Sequence, residues 1–199
     1  MKPCAFDFVR AASVAEAARL LADADGAARL VAGAQSLGPM LNLRLAQPRV
    51  LVDITGIPDL TRIEEADDAV TVGACVTTAN VEDGCLPERG LGTLSGFAAN
   101  IAYRAVRNRG TIGGSLCHAD PAADWVSMLC VLGAECLITG VNGKRRLPAD
   151  QFVTGAYETA LGPGEMLEAL RIPRLSGRGR CGYYKVRRKA NSPSPLEPC

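Results

Sequence analysis

The first part of the chain has an apolar pattern that predicts a β-α-β unit followed by a further helix and strand. Residues 5–9 alternate between apolar and polar positions, as a short half-buried strand does. Ser13 and Glu16 have the spacing of a capping box, and they open a helix rich in Ala and Leu that ends near Gly26. The elements predicted next are a strand, a helix and a strand, at 29–32, 38–45 and 49–54.

From Pro58 onward the pattern changes and predicts antiparallel hairpins with short helices. One hairpin is predicted around residues 67–68 and another around the Asn-Gly pair at 142–143, which is typical of tight hairpin turns. Asp120, followed by a proline, is predicted to cap a helix that runs to about Leu132. The other predicted elements are helices over 78–83 and 87–99 and strands over 166–172 and 182–186.

Bulk composition narrows the classes of function. With 199 residues, of which 48% are hydrophobic and 22% charged, the chain suits one domain or two small lobes around a cleft. A formal net charge of +1 favours neither nucleic acid nor a membrane surface as a partner. No apolar run has the length of a bilayer span, and the residues after Lys2 do not resemble a signal peptide. We therefore expect a cytoplasmic protein.

Eight cysteines raise the question of a metal site. No two of them have the C-x-x-C spacing with which zinc and iron–sulfur sites usually take two thiolates from one loop. His118 is the only histidine, which excludes an imidazole-rich site, and we assign this side chain a structural role. We expect no metal site and reduced cysteines, several of them in the core. Trp125, the only tryptophan, is also predicted to be in the core.

A glycine-dense run at 109–115 is the best candidate for a binding segment. Gly113 and Gly114 allow another group to approach the backbone closely, and the hydroxyls of Thr111 and Ser115 flank them. Backbone amides in such a turn can converge on an anion. The plain alternative is a tight turn that leads into a capped helix.

A second bend of small residues lies at 31–37, between a predicted strand and a predicted helix. Free N–H groups at a helix start are well placed to bind pyrophosphate. The bend lacks the G-x-G-x-x-G spacing of the common dinucleotide fold, and taken alone it is an ordinary turn capped by Ser36. Two such bends in one chain favour a large dinucleotide over a single phosphate.

Both bends carry a resemblance to a known family. The run from Arg107 to Ser115, with His118-Ala119-Asp120-Pro121 and Asp124 after it, resembles the second FAD-binding segment of the molybdenum hydroxylase flavoprotein subunits. These are the medium subunits of the carbon monoxide dehydrogenase and xanthine dehydrogenase family. The bend from Ala32 to Leu37 resembles the first segment, and the match continues in the family's order from about residue 4 to about residue 189.

The resemblance implies a fold, a cofactor and a set of site residues. The fold is expected to be α+β, of the PCMH or vanillyl-alcohol-oxidase-like type, with a small N-terminal β-α-β lobe and a larger mixed α/β lobe around an extended FAD. No residue is assigned a catalytic role. The implied FAD-binding residues are Ala32, Gly33, Ala34, Gln35, Ser36, Ile101, Thr111, Ile112, Gly113, Gly114, Ser115, Asp124, Leu167 and Lys185.

Several of these residues also have a plain structural explanation. Ile101 fits a contact with the flavin ring and core packing equally well, and Leu167 fits an interior strand as well as a contact near the flavin. Lys185 is expected beside the ring, but it also belongs to a basic cluster that is typical of a solvated face. Asp124 is expected to accept hydrogen bonds from ribityl or ribose hydroxyls while complementing the helix dipole. Ala34, where the family usually has glycine, is unstrained only at negative φ.

The resemblance also implies an oxidoreductase subunit that passes electrons. Electrons from a molybdopterin-binding large subunit would reach the FAD through a 2Fe-2S small subunit and leave to an external acceptor. Two alternatives stay open: a fragment that folds but does not hold flavin stably, and a module for another dinucleotide.

The expected domain division follows the family. We expect an FAD-binding domain at 1–176, with lobe one at about 1–56 and lobe two at about 57–176. The family continues into a C-terminal lobe, whereas here a basic cluster at 187–189 leads into a polar, proline-rich stretch. We therefore expect residues 177–199 to be the start of a truncated C-terminal lobe and an unpacked tail.

Overall fold

The first three strands form a parallel sheet in which the third strand lies between the other two. The structure is a computed structural model that describes residues 2–87, 91, 93–174 and 182–185. The elements of this part are β1 (Asp7–Arg10), α1 (Val14–Asp23), β2 (Ala28–Val31), α2 (Leu37–Asn42) and β3 (Val50–Asp53). Parallel neighbours cannot be joined by a tight turn, so helices connect them. The predicted β-α-β unit is confirmed, with ends that shift by a few residues.

The predicted capping box of α1 forms with one change. The Ser13 hydroxyl accepts a hydrogen bond from the Glu16 N–H at 3.2 Å, as expected. The Glu16 carboxylate, however, accepts from the N–H of Ala12 at 2.8 Å, one residue before the cap. Two N–H groups at the helix start are still satisfied by side chains, so the sequence pattern identified the helix start correctly.

The larger sheet is antiparallel and contains five strands as far as the chain is described, in the order β4-β5-β10-β6-β7. Its strands are β4 (Ile63–Glu65), β5 (Ala69–Gly73), β6 (Glu135–Gly140), β7 (Gly143–Pro148) and β10 (Met166–Pro173). Both predicted hairpins are confirmed, since β4 pairs with β5 and β6 pairs with β7. A parallel sheet and a separate antiparallel sheet together confirm the expected α+β class.

Helices and turns fill the chain between these strands. A short 3-10 helix (Pro58–Thr61) leads out of the first sheet, and β8 (Val153–Gly155) pairs with β9 (Glu158–Thr159). The helices are α3 (Thr78–Glu82), α4 (Thr93–Ala99), α5 (Arg104–Arg107), α6 (Ile112–His118), α7 (Asp124–Val131) and α8 (Ala149–Phe152).

The larger hydrophobic cluster lies between these helices and the antiparallel sheet, and it contains Trp125, as predicted. A smaller cluster joins α1 to the parallel sheet and includes Met166 from β10. The division into lobes at 1–56 and 57–176 stays a prediction.

Three predicted elements differ from the structure, and a fourth is described only in part. The glycine pair at 113–114 lies inside helix α6 rather than in a turn. The next helix begins at Asp124, not beside Asp120, whose carboxylate accepts instead from the N–H of Ala122 at 2.9 Å. Residues 182–185 do not form the predicted strand. The predicted helix at 87–99 is described from Thr93, and much of its first half lies outside the described residues.

Candidate functional site

The two small-residue bends, far apart in the sequence, pack directly against each other. A Cβ placed on Gly33 would lie 2.6 Å from the carbonyl carbon of Arg109 and 2.9 Å from the Cα of Gly110. A Cβ on Gly110 would in turn lie 3.8 Å from the Cγ of Gln35. The first bend therefore rests on the residues that lead into Thr111, and only glycine allows this approach at position 33.

The first bend presents unpaired backbone N–H groups. Helix α2 begins at Leu37, and its N-cap residue Ser36 makes no side-chain capping hydrogen bond. The N–H groups of Gln35, Ser36 and Leu37 have no hydrogen-bond acceptor among residues 2–87, 91, 93–174 and 182–185. The Gln35 side chain donates to the carbonyl of Gly33 at 3.0 Å, which steadies the bend. Unpaired amides beside an exposed hydroxyl are suitable donors for phosphate oxygens.

Ala34 adopts a conformation that the sequence did not lead us to expect. Its φ is +57°, in the left-handed region, whereas an alanine is unstrained only at negative φ. The preceding Ala32 is half-buried and packs against the smaller hydrophobic cluster. The bend is thus held in a strained shape by its surroundings.

The second bend is a helix start whose amides are already paired. The Ile112 N–H donates to Val76 and the Gly113 N–H donates to Ala74, each at 3.0 Å. The Gly114 N–H donates to the Thr111 hydroxyl at 3.0 Å, so Thr111 is the N-cap of α6. Contacts within the protein thus use all three amides, and the expected binding of an anion by this segment stays a prediction.

Gly113 in α6 has a packing role that the sequence did not reveal. A Cβ on Gly113 would lie 2.5 Å from the Cβ of Ala74 and 2.7 Å from its carbonyl oxygen. Gly113 therefore lets α6 lie against the end of β5. Gly114 is exposed and Ser115 is half-buried, so both face outward from this contact. Their role toward a cofactor stays a prediction.

Asp124 and Lys185, both predicted site residues, are brought together. The Lys185 ammonium donates to the Asp124 carboxylate at 2.8 Å, and the Tyr183 hydroxyl donates to the other oxygen of the same carboxylate. Asp124 is buried at the start of α7, where a carboxylate also complements the helix dipole. Burial and the hydrogen bond to Asp124 raise the pKa of Tyr183 to about 12.

Tyr183 is a site residue that the sequence analysis missed. Its ring packs edge-to-face on Phe97, with ring centroids 4.8 Å apart, and Phe97 packs in the same way on Trp125 at 5.0 Å. The only signal in the sequence is an aromatic pair, Tyr183-Tyr184, in an otherwise polar and basic segment.

A cavity of about 420 Å³ lies beside this aromatic group. Its walls come from α4, the residue after it, α7 and the segment at 182–185. The lining residues are Thr93, Gly96, Phe97, Asn100, Met128, Tyr183, Tyr184 and Lys185. Because Tyr183 and Lys185 also bind Asp124, the cavity and the buried carboxylate belong to one site.

The remaining predicted residues have different surroundings. Ile101 is half-buried against the larger cluster and directly follows Asn100, which lines the cavity. Leu167 is 3% exposed in β10, the central strand of the larger sheet. This position agrees with the alternative explanation, in which Leu167 is an interior strand residue. A contact of either residue with a cofactor stays a prediction.

Neither a metal site nor a membrane span is found in the part of the chain that the structure describes. There, no three histidine, cysteine, aspartate or glutamate side chains are grouped so that they could hold a metal ion. No helix in the same part is long and apolar enough to cross a bilayer.

Comparison with known proteins assigns a family to this arrangement. A family model described as the FAD binding domain in molybdopterin dehydrogenase matches residues 4–175. The 6-hydroxypseudooxynicotine dehydrogenase complex subunit alpha of Paenarthrobacter nicotinovorans is 40% identical over 175 residues, which are 88% of this chain and 59% of that protein. The carbon monoxide dehydrogenase medium chain of Hydrogenophaga pseudoflava is 37% identical over 189 residues, which are 95% of this chain and 66% of that protein.

Solved structures agree with the sequence comparison. A structure of carbon monoxide dehydrogenase from Hydrogenophaga pseudoflava superposes with a TM-score of 0.91 at 38% identity, covering 95% of this chain and 66% of the other. The chain thus spans 59% to 66% of the length of these relatives. The expected PCMH-like fold is confirmed. The chain belongs to the family of FAD-binding domains of molybdopterin dehydrogenases, and its cofactor is FAD.

Proposed function

We propose that this chain is the FAD-binding, electron-transferring part of a molybdenum hydroxylase complex. In this role it receives electrons from 2Fe-2S clusters on a small subunit, which are themselves reduced by a molybdopterin-binding large subunit, and passes them to an external acceptor. The relatives support the proposal, since they are named as subunits or medium chains of dehydrogenases. The family match over 4–175 supports an FAD-binding domain at 1–176.

The contact between the two bends is the observation that carries this proposal. Gly33 packs on the backbone at 109–110, so the unpaired amides of Gln35, Ser36 and Leu37 lie beside the segment that leads into Thr111. A diphosphate bridge needs several donors from one concave surface, and this junction supplies backbone N–H groups and the Ser36 hydroxyl. The residues present therefore fit an extended dinucleotide.

The part of the site around Asp124 and the cavity would hold the parts of FAD other than the diphosphate bridge. Asp124 would accept hydrogen bonds from ribityl or ribose hydroxyls, because a carboxylate accepts without reacting. Lys185, which lines the cavity, would place a positive charge beside the flavin ring. When bound, FAD supplies the ability to take up and release electrons singly or in pairs, while the protein supplies binding and electrostatics.

A second candidate is a fragment that folds without holding flavin stably. One observation favours it: Asp124 already has two partners within the chain. These two partners use one acceptor position on each carboxylate oxygen, which leaves fewer positions for FAD hydroxyls.

The test is a flavin spectrum of the purified chain, before and after refolding with excess FAD. The proposed function predicts the visible absorbance bands of oxidised flavin and retention of FAD, but not NAD, on gel filtration. A chain that stays colourless after refolding with FAD, while its circular dichroism shows it folded, supports the fragment and contradicts the flavoprotein. Co-expression with the large and small subunits of a related complex then tests electron transfer, since substrate should bleach the flavin only when both partners are present.

A further inference from the structure

Arg107 is a buried cation with four hydrogen bonds. Its side chain is 1% exposed, and its guanidinium binds both oxygens of Glu82, at 2.7 and 2.9 Å. The remaining amino group donates to the backbone carbonyls of Ile101 at 3.1 Å and Ala102 at 2.8 Å. The side chain thus joins the end of α3 to the loop between α4 and α5.

Arg104 provides a comparison on the same helix. It also binds Glu82, at 2.9 Å, and it binds Asp83, but its side chain is 46% exposed and it contacts no backbone carbonyl of the loop. Hydrogen bonds from Arg107, and more weakly from Arg104, hold the pKa of Glu82 below its usual range. The two arginines share a carboxylate, yet only Arg107 reaches the loop.

Stability of the fold alone does not call for a cation at this position. Taking a charge out of water is costly, and a well-packed apolar side chain of similar size often serves a core as well or better. What an apolar side chain cannot do is donate to the carbonyls of Ile101 and Ala102. Ala102 has φ +47°, a conformation that alanine rarely adopts, so the loop needs such an external constraint.

The constrained loop borders the candidate site. Asn100, one residue before Ile101, lines the cavity together with Tyr183 and Lys185. These two side chains bind Asp124, the buried carboxylate of the site. Of the loop at 100–102, Asn100 is the residue that lines the cavity, so the shape of the loop determines where Asn100 lies in the cavity wall.

We propose that Arg107, oriented by Glu82, is a positioning residue that fixes the Ile101–Ala102 turn and, through it, the neighbouring Asn100 in the wall of the FAD site. The inference rests on the proposed function, because it takes this cavity as part of that site. Arg107 touches no reacting atom, and it acts through the two carbonyls that it binds. A planar guanidinium is suited to the task because its fixed donors serve a carboxylate and two carbonyls at once.

The first test compares Arg107→Lys with Arg104→Lys in the full chain. Lysine keeps a positive charge near Glu82, but its single ammonium group cannot donate to both carboxylate oxygens and both carbonyls at once. In Arg107→Lys we expect hydrogen–deuterium exchange at residues 101–104 to rise about tenfold without FAD. We also expect the dissociation constant for FAD to rise about tenfold and the visible circular dichroism of bound flavin to change. Arg104→Lys should leave the amide exchange, the dissociation constant for FAD and the visible circular dichroism close to those of the wild-type chain.

A second pair of variants moves the turn without disturbing the buried cation, in case Arg107→Lys does not fold. Ala102 is exposed, and valine is strongly disfavoured at φ +47°, whereas glycine adopts it freely. Ala102→Val should weaken FAD binding as Arg107→Lys does, and Ala102→Gly should not.

The outcomes separate the inference from the proposed function. Equal exchange and equal FAD affinity in the two lysine variants, or in the two Ala102 variants, would overturn the positioning role while leaving the flavoprotein intact. A wild-type chain that binds no FAD defeats the proposed function. Amide exchange at 101–104 in the flavin-free variants still shows whether Arg107 fixes the turn.

Discussion

Gly33 faces the carbonyl group of Arg109 so closely that no side chain fits between them. A Cβ at position 33 would lie 2.6 Å from the Arg109 carbonyl carbon. This contact joins the parallel sheet to the loop before α6, and it places the unpaired amides of the first bend at the junction. Gly33 thus allows the two segments to pack together and also keeps the unpaired amides at the candidate cofactor site.

Gly33→Ala should therefore lower both stability and FAD affinity. The added methyl group meets backbone, which cannot rotate away, so we expect the free energy of unfolding to fall by about 1–3 kcal/mol. Gly38→Ala is the matched control, since nothing lies within 4 Å of a Cβ at that position in α2. Alanine there should stabilise the helix by about 0.5–1 kcal/mol. Urea denaturation measures the free energy of unfolding, and FAD titration measures the affinity. A Gly33→Ala chain as stable as the Gly38→Ala chain would contradict the close contact between Gly33 and the Arg109 carbonyl.

The parts of the fold that rest on local signals could be predicted from the sequence. The hairpin at Asn142-Gly143 forms because a tight turn needs a residue that accepts positive φ, and Gly143 has φ +122°. The first helix begins at Ser13 for an equally local reason, since the serine hydroxyl caps the Glu16 N–H.

The rest of the site depends on contacts between distant parts of the chain. The glycine pair at 113–114 favours a turn locally, but hydrogen bonds to Ala74 and Val76 and the Thr111 cap make it helical. The bond between Tyr183 and Asp124 spans 59 residues, and no spacing in the sequence indicates it. The family resemblance identified Asp124 and Lys185 separately, whereas only the structure shows them as a pair.

Asp124→Asn should weaken FAD binding more than it weakens the fold. An amide oxygen accepts weaker hydrogen bonds than a carboxylate oxygen does. The amide also places two N–H donors beside Lys185 and Tyr183, which are already donors at this position. Since hydrogen bonds to a charged group contribute about 1.5–3 kcal/mol, we expect the dissociation constant for FAD to rise at least about tenfold. Asp120→Asn is the control, because that side chain accepts from Ala122 nearby and takes no part in the site. Equal FAD affinity in the two variants would remove Asp124 from the cofactor site.

Tyr183 should make the fold sensitive to alkaline pH. Burial, and then the hydrogen bond to Asp124, raise its pKa from 10.0 to about 12. A raised pKa means that the neutral phenol is favoured in the folded state. Its stabilising contribution is therefore complete below about pH 10 and is lost as the pH rises toward 12.

The measurement is a spectroscopic titration of phenolate together with unfolding at several alkaline pH values. Tyr183→Phe should remove one phenol that titrates near pH 12 and flatten the loss of stability between about pH 10 and 12. Tyr184→Phe is the control, since Tyr184 is 89% exposed. If the two variants titrate alike, the bond between Tyr183 and Asp124 is not formed in solution.

Ala34→Gly should stabilise the chain, although glycine usually destabilises. Ala34 has φ +57°, and an L-residue with a Cβ loses about 1–2 kcal/mol in the left-handed region, whereas glycine does not. The greater freedom of glycine in the unfolded state offsets part of this gain, so we expect a net increase of up to about 1 kcal/mol in the free energy of unfolding. Ala15→Gly, at an exposed position in the first turn of α1, should instead lose about 0.5–1 kcal/mol.

The FAD affinity of Ala34→Gly distinguishes two explanations of the strained conformation at Ala34. If the left-handed shape of the bend is what aims the amides of Gln35 and Ser36 outward, glycine keeps that shape and the dissociation constant stays the same or falls. If the methyl group itself obstructs the approach of phosphate oxygens, affinity rises clearly beyond the change in stability. A loss of affinity together with a loss of stability would show that Ala34 does not have positive φ in solution, because glycine would then remove nothing but backbone order.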